Sequence, residues 1–254
     1  MSEKTAPETA SFGFSEVPAG EKAALVRGVF DRVAARYDLM NDLMSLGVHR
    51  LWKSVLIDML KPRPGMHLLD VAGGTGDIAF RFLERLKGQG RAQVTVCDIN
   101  AEMIEVGRDR AIDRGVPDAI EWLVGDAEAV PVADGSVDAY TIAFGLRNVT
   151  HIDRALAEAV RVLKPGGRFL CLEFSHVSVP LLGRLYDRYS FSVLPLLGHY
   201  VAGDRDAYVY LAESIRRFPR QEALAAMLRQ AGLARVQWRD LSGGIVAIHG
   251  GWRL

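Results

Sequence analysis

"LLDVAGGTGDIAF", Leu68 to Phe80, decides the fold. A short apolar run ends in a glycine turn and opens onto helical spacing, the strand–turn–helix start of an α/β unit. Gly74, Gly76 and Ala79 satisfy the loose G-x-G-x-x-G/A dinucleotide pattern. Yet Asp70 stands before the turn and Asp77 after its last glycine. In a dinucleotide enzyme the helix N-terminus receives a pyrophosphate, and a carboxylate at Asp77 would repel it. Asp77 also reads as a helix-start acid that favours the dipole.

Outward from the turn, short apolar runs alternate with helical stretches. "HLLDVA", "QVTVCDI", "IEWLVGD", "VDAYTIAF" and "RFLCLEF" read as strands, with "IAFRFLERLKG", "AEMIEVGRDRAIDRG" and "HIDRALAEAVRVLKPGG" as helices between them. That rhythm predicts βαβ units, a parallel sheet covered on both faces, and a doubly wound α/β fold. "KPGGRF", Lys164 to Phe169, reads as a helix stop, with Lys in the last turn. "LARVQWRD" and "GGIVAIHGGWRL" read as a closing antiparallel hairpin. Upstream, Leu25, Val29, Val33 and Tyr37 recur at helical spacing, and "VHRLWKSVLIDML" reads as a second helix.

The first twenty residues are polar and read as a mobile tail; residues 21–254 read as a single domain. The N-terminus lacks the basic start and apolar core of a signal peptide, and a cytoplasmic location is expected. No stretch reaches the ~18 apolar residues of a membrane span. Formal net charge is zero, which argues against nucleic acid as a partner. Cys97 and Cys171 sit in apolar runs, as buried thiols rather than a disulfide framework. No zinc-type ligand spacing occurs, so no metal site is expected.

A cationic ligand resolves the carboxylates at the turn. S-adenosylmethionine carries a sulfonium and an ammonium but no phosphate, so Asp70 and Asp77 would complement it. Gly74, Thr75 and Gly76 would let its chain approach the backbone. Asp98, at the end of the second strand, can accept from both ribose hydroxyls, a role that serves NAD equally well. Asp126, in "GDAEAVP", is placed to accept from an adenine amine, with Ala127 offering a backbone N–H. The rival reading is an NAD-dependent oxidoreductase on the same glycine pattern.

"FDRVAARYDLMNDLMSLGVHRLWK", "LDVAGGTGD", "FGLRNVTHIDRALAEAVRVLKPGGRFLCLEFS" and "YLAESIRRFP" together resemble the ubiquinone/menaquinone biosynthesis C-methyltransferases. The resemblance runs from about Val26 to the C-terminus. It implies a Rossmann-like class I methyltransferase fold, with a seven-stranded, mostly parallel sheet whose last strand is antiparallel and helices on both faces. It implies S-adenosyl-L-methionine as cofactor and a polyprenylated quinol as acceptor, either 2-polyprenyl-6-methoxy-1,4-benzoquinol or demethylmenaquinol. Carried over by position, cofactor contacts fall on Thr75, Asp98, Asp126 and Ala127. Family members often carry Ser where Ala143 stands, so that position is left out of the site.

Ring methylation needs electron density on a poor carbon nucleophile. Deprotonating a phenol with a pKa near 10 at pH 7 costs roughly 4 kcal/mol, so the enzyme must supply a base or stabilise the phenolate. Arg147 and Asn148 in "FGLRN" are the first candidates. A guanidinium is no ordinary base, so Arg147 would act electrostatically while Asn148 orients the hydroxyl or a water. An exposed turn pair is the plain alternative for both. Tyr37 is the third candidate, from a helix that could fold over the cofactor; Glu173 and Ser175 are weaker ones, and Trp52 and Trp122 read as core or cover. The apolar insertion of Val177 to Gly203, within a helical region near 177–215, reads either as a lid or as a peripheral membrane surface that uses Arg184 and Arg188. A homodimer or a quinone-biosynthesis complex stays open, and a non-catalytic methyltransferase-like scaffold of such a complex is the third reading of the function.

Overall fold

The computed structural model describes residues 8–33, 47–177 and 205–254, with single positions 42, 45, 183, 186, 188, 189 and 192. Chain order begins with a hairpin, β1 (Thr9–Phe12) and β2 (Ser15–Pro18), and helix α1 (Ala19–Val33). Helix α2 (His49–Leu60) leads into β3 (His67–Val71), α3 (Asp77–Arg85), β4 (Gln93–Asp98), α4 (Ala101–Asp113) and β5 (Glu121–Val124). Then follow β6 (Val137–Ala143), a 3-10 turn (Leu146–Asn148), α5 (Ile152–Val162), β7 (Leu163–Phe174), α6 (Arg205–Arg217) and α7 (Gln221–Gln230). Strands β8 (Leu233–Leu241) and β9 (Val246–Arg253) close the chain.

The seven strands of the main sheet run in the order β5-β4-β3-β6-β7-β9-β8. Six run in one direction, and β9 alone is antiparallel, inserted between β7 and β8. The order reverses between β3 and β6, which opens a crevice beyond their carboxyl ends, the usual ligand position in such sheets. Strand alternation divides the core. Leu68 faces a cluster with Leu56, Phe82 and Tyr208 on one side, while Leu69 and Val71 face Leu156, Phe169 and Leu224 on the other.

Several local expectations shift. Where the sequence suggests a polar tail, residues 9–18 form a two-stranded antiparallel sheet, and Phe12 of β1 stacks on Tyr210 of α6. Helix α1 buries Val26 and Val29 and leaves Leu25 exposed, so of the expected stripe Val29 faces inward and Leu25 does not. Helix α5 ends at Val162, so Lys164 lies in β7, not in the helix's last turn; its Nζ instead donates to Asp138 at 2.9 Å. Trp52 and Trp122 are buried, and both cysteines are free and buried. Among the described residues no helix is long and apolar enough to cross a membrane.

Candidate functional site

Two non-glycine residues with positive φ mark the switch point: Ala72 (φ 50°) after β3 and Phe144 (φ 58°) after β6. Such backbone costs energy and concentrates at functional sites. The two turns touch closely, since a Cβ on Gly145 would lie 2.4 Å from that of Ala72. Both turns line a cavity, together with the ends of β4 and β5. Helix α1 supplies the outer wall through Ala23, Val26, Arg27 and Phe30.

Asp98 is the best-placed acceptor in this cavity. Its Oδ2 accepts from the Gly74 N–H at 2.8 Å and its Oδ1 from the Asn100 N–H at 2.9 Å. Each oxygen keeps acceptor capacity, which suits a vicinal diol. Burial pushes its pKa up, and the two N–H donors oppose that shift. Asp126 spends Oδ1 on the Glu128 N–H at 2.9 Å, and both Asp126 and Ala127 line the same cavity. Asn100 adds a contact that the sequence reading missed. Its Oδ1 caps α4 at Met103 while its Nδ2 donates to Asp31 of α1 at 2.6 Å. An asparagine after a strand signals the cap, but nothing in the sequence signals its tie to α1.

The rest of the glycine turn divides its labour. Gly74 lines the cavity; Gly76, at φ 81°, has packing reasons, because a Cβ there would sit 2.6 Å from the Trp122 ring. Asp70 lies wholly buried beneath the turn, with Oδ1 accepting from Thr141 at 2.7 Å and Oδ2 without a partner among the described residues. Burial raises its pKa to about 7. Asp70, Thr75, Lys53 and Asp77 line a smaller adjoining hollow, so Asp70 and Thr75 lie next to the main cavity and not on its wall. Thr75 Oγ accepts from Arg110 at 2.8 Å. Asp77 is no free counter-charge: Lys53 meets it at 2.8 Å and Arg81 at 2.9 Å. Burial works against its ionised form, yet those two cations hold its pKa below the usual carboxylate range.

The "FGLRN" turn splits between two spaces. Asn148 lines the main cavity beside Gly145 and Val149. Arg147 lines a second hollow with Lys22, Thr150, Tyr210 and Ser214. It is buried, not exposed: its guanidinium donates to Glu173 Oε1 at 2.8 Å and to the Phe144 carbonyl, and it lies over the Phe174 ring. Its Nε is buried without a partner among the described residues. Burial pushes the Glu173 pKa up, against the pull of Arg147. Ser175 is buried at the end of the same strand. Tyr37 lies outside the described residues. So do Arg184 and most of the 177–203 segment, of which Tyr186 is buried and Arg188 exposed.

A family model described as the ubiE/COQ5 methyltransferase family matches residues 18–253. The chain belongs to that family. It is 60% identical over 98% of its length to the Paracoccus denitrificans ubiquinone/menaquinone biosynthesis C-methyltransferase UbiE, of which it covers 98%. It is 57% identical, over 96% of its length and 88% of the relative, to the mitochondrial 2-methoxy-6-polyprenyl-1,4-benzoquinol methylase of Oryza sativa subsp. japonica. A solved SAM-dependent methyltransferase from Thermotoga maritima shares the fold at a TM-score of 0.63 and 21% identity, covering 90% of this chain and all of that one. Family membership makes the chain a methyltransferase, and its fold is the class I arrangement that the sequence implies.

Proposed function

We propose that the chain transfers a methyl group from S-adenosyl-L-methionine to a ring carbon of a polyprenylated quinol, a benzoquinol, a naphthoquinol or both. The observation that carries this reading is that Asp98 and Asn148 line one cavity at the switch point. A cofactor-type acceptor and a substrate-type amide therefore face the same space. The donor chemistry suits the nucleoside: carboxylates at Asp98 and Asp126 accept from hydroxyls and an amine, and among the described residues Arg27 is the one cation on the cavity wall. Asp70, in the neighbouring hollow, would be drawn toward its ionised form by an ammonium bound beside it. The printed names of the relatives support the acceptor class, one naming a benzoquinol and the other both quinone pathways.

When bound, S-adenosylmethionine supplies the electrophilic methyl. The protein's own work is to hold the quinol ring and stabilise its developing phenolate. Asn148 donates an amide N–H to the quinol oxygen. Arg147, paired with Glu173, fixes the turn that carries Asn148 and places a guanidinium beside the second hollow. Water is kept out by α1, whose Val26 and Phe30 form an apolar wall.

The test is turnover with radiolabelled S-adenosylmethionine and short-chain forms of both quinols, followed by mass analysis of the product. Label on a ring carbon of either quinol supports the reading. Label on an oxygen, or none on either quinol, rejects it.

A further inference from the structure

Asn148 can only serve a substrate oxygen if its amide is turned the right way round. The two ends of that amide differ in chemistry but hardly in shape, so a neighbour must choose between them. Tyr210 of α6 makes that choice. Its Oη lies 3.0 Å from Asn148 Oδ1. The phenol is buried, which pushes its pKa up to about 12, so it stays protonated and has a hydrogen to give to that oxygen. With Oδ1 occupied, the NH2 end is the one left for the cavity, and among the described residues no acceptor pairs with it.

Tyr210 is itself held from outside the catalytic domain's sheet. Phe12 of the N-terminal hairpin stacks on its ring, with centroids 4.4 Å apart and planes at 24°. The hairpin is fastened next to that stack by the Phe14 N–H, which donates to Glu213 of α6 at 3.0 Å. A side chain at Gly13 would clash with the same Glu213, so hairpin and helix meet closely.

We propose that Tyr210 is a positioning residue for the methyl transfer. Its hydroxyl orients the Asn148 amide, and Phe12 of the hairpin keeps that hydroxyl in place. The proposal rests on the reading that Asn148 serves the quinol oxygen. It gives the N-terminal hairpin a part in turnover although the hairpin supplies no group to the cofactor cavity.

The experiment is a double-mutant cycle on the full chain, read as radiolabel transferred from S-adenosylmethionine to the quinol, with cofactor affinity measured by calorimetry. Tyr210→Phe keeps the stacked ring and removes only the hydroxyl. It should lower kcat roughly tenfold, the size of one net hydrogen bond, and leave cofactor Kd within about twofold. In an Asn148→Ala background the same change should cost less than about twofold, because the group it orients is gone. Phe12→Ala should lower kcat in the same pattern, and it decides the matter if Tyr210→Phe does not fold. Normal kcat in folded Tyr210→Phe, or an equal loss with and without Asn148, overturns the proposal. If Asn148→Ala itself turns over at the wild-type rate, the reading of Asn148 falls first; if Asn148→Ala is slow and Tyr210→Phe is not, only the positioning role falls.

Discussion

Asp98 and Arg147 show how the consequence of losing a charged side chain depends on what it already holds. Asp98 accepts two backbone N–H groups and still has capacity for a diol. Asp98→Ala should therefore weaken S-adenosylmethionine binding by roughly 1–3 kcal/mol, as seen by calorimetry. Unchanged affinity in a folded variant would remove Asp98 from the cofactor site. Arg147 differs because its partner, Glu173, is buried with it. Arg147→Ala strands a buried carboxylate, and breaking such a pair typically costs about 3–5 kcal/mol. A loss of turnover in that variant would be confounded by instability. The informative pair is Arg147→Met with Glu173→Met, in which both charges go and denaturant titration should recover most of the lost stability. If Arg147→Met alone is as stable as wild type, the pair does not hold the turn. The carboxylates at strand ends were legible in the sequence because position after a strand implies position at the site. The partners of Arg147, Asn148 and Asp77 were not, because Glu173, Tyr210 and Lys53 reach them across 24 residues or more of chain.

At the scale of elements, the N-terminal hairpin and α1 act as one cover. Lys22 donates to the Val149 carbonyl at 2.8 Å, and Asn100 ties Asp31. His151 adds a clasp: Nδ1 meets Glu128 at 2.6 Å and Nε2 meets Glu8 at 3.1 Å. Glu128 also accepts from the backbone of Thr150 and His151 and lines the cofactor cavity. The hydrogen bond to Glu128 raises the His151 pKa, with burial and Arg154 opposing and Glu8 assisting. A histidine raised on folding stabilises fully below its unfolded pKa, and that contribution fades as pH rises through the folded one. The cover should thus hold more tightly at pH 6 than at pH 8. Amide exchange in residues 9–18 should quicken, beyond its intrinsic pH dependence, over that interval, and His151→Asn should abolish the excess. No excess in the wild type would reject the clasp. This cover was only half legible. Apolar spacing revealed α1, but β1 and β2 are too polar and exposed to read as strands, and their pairing rests on contacts with α6. The parallel strands were legible because both faces are covered and their runs are nearly continuous. The insertion of β9 between β7 and β8 was not, since a hairpin pattern does not say which strand turns inward.

Across the whole molecule, the two apolar clusters share one sheet. Leu170 and Leu172 of β7 belong to one and Phe169 and Cys171 to the other, so neither cluster can be lost without the strands of both. The cofactor cavity draws its walls from the ends of four neighbouring strands and from α1, so a ligand there is bound by the folded unit as a whole. A ligand at about 100 times its Kd stabilises the folded state by roughly 2.7 kcal/mol. For a chain of this size that corresponds to a rise in Tm of about 5–10 °C. The identity of the ligand then separates the two readings of the glycine turn. Asp77 stands at the start of α3, where a pyrophosphate would need a bare helix end, and its pairing with Lys53 and Arg81 makes displacement costly. S-adenosylmethionine should move a single thermal transition upward, with a shift that grows with the logarithm of its concentration. NAD at the same concentrations should leave that transition where it is. A comparable shift with NAD would show that the carboxylates at the turn do not exclude a dinucleotide. Two transitions, of which only one responds, would show that the cofactor site and the β7–β9 half of the sheet fold separately.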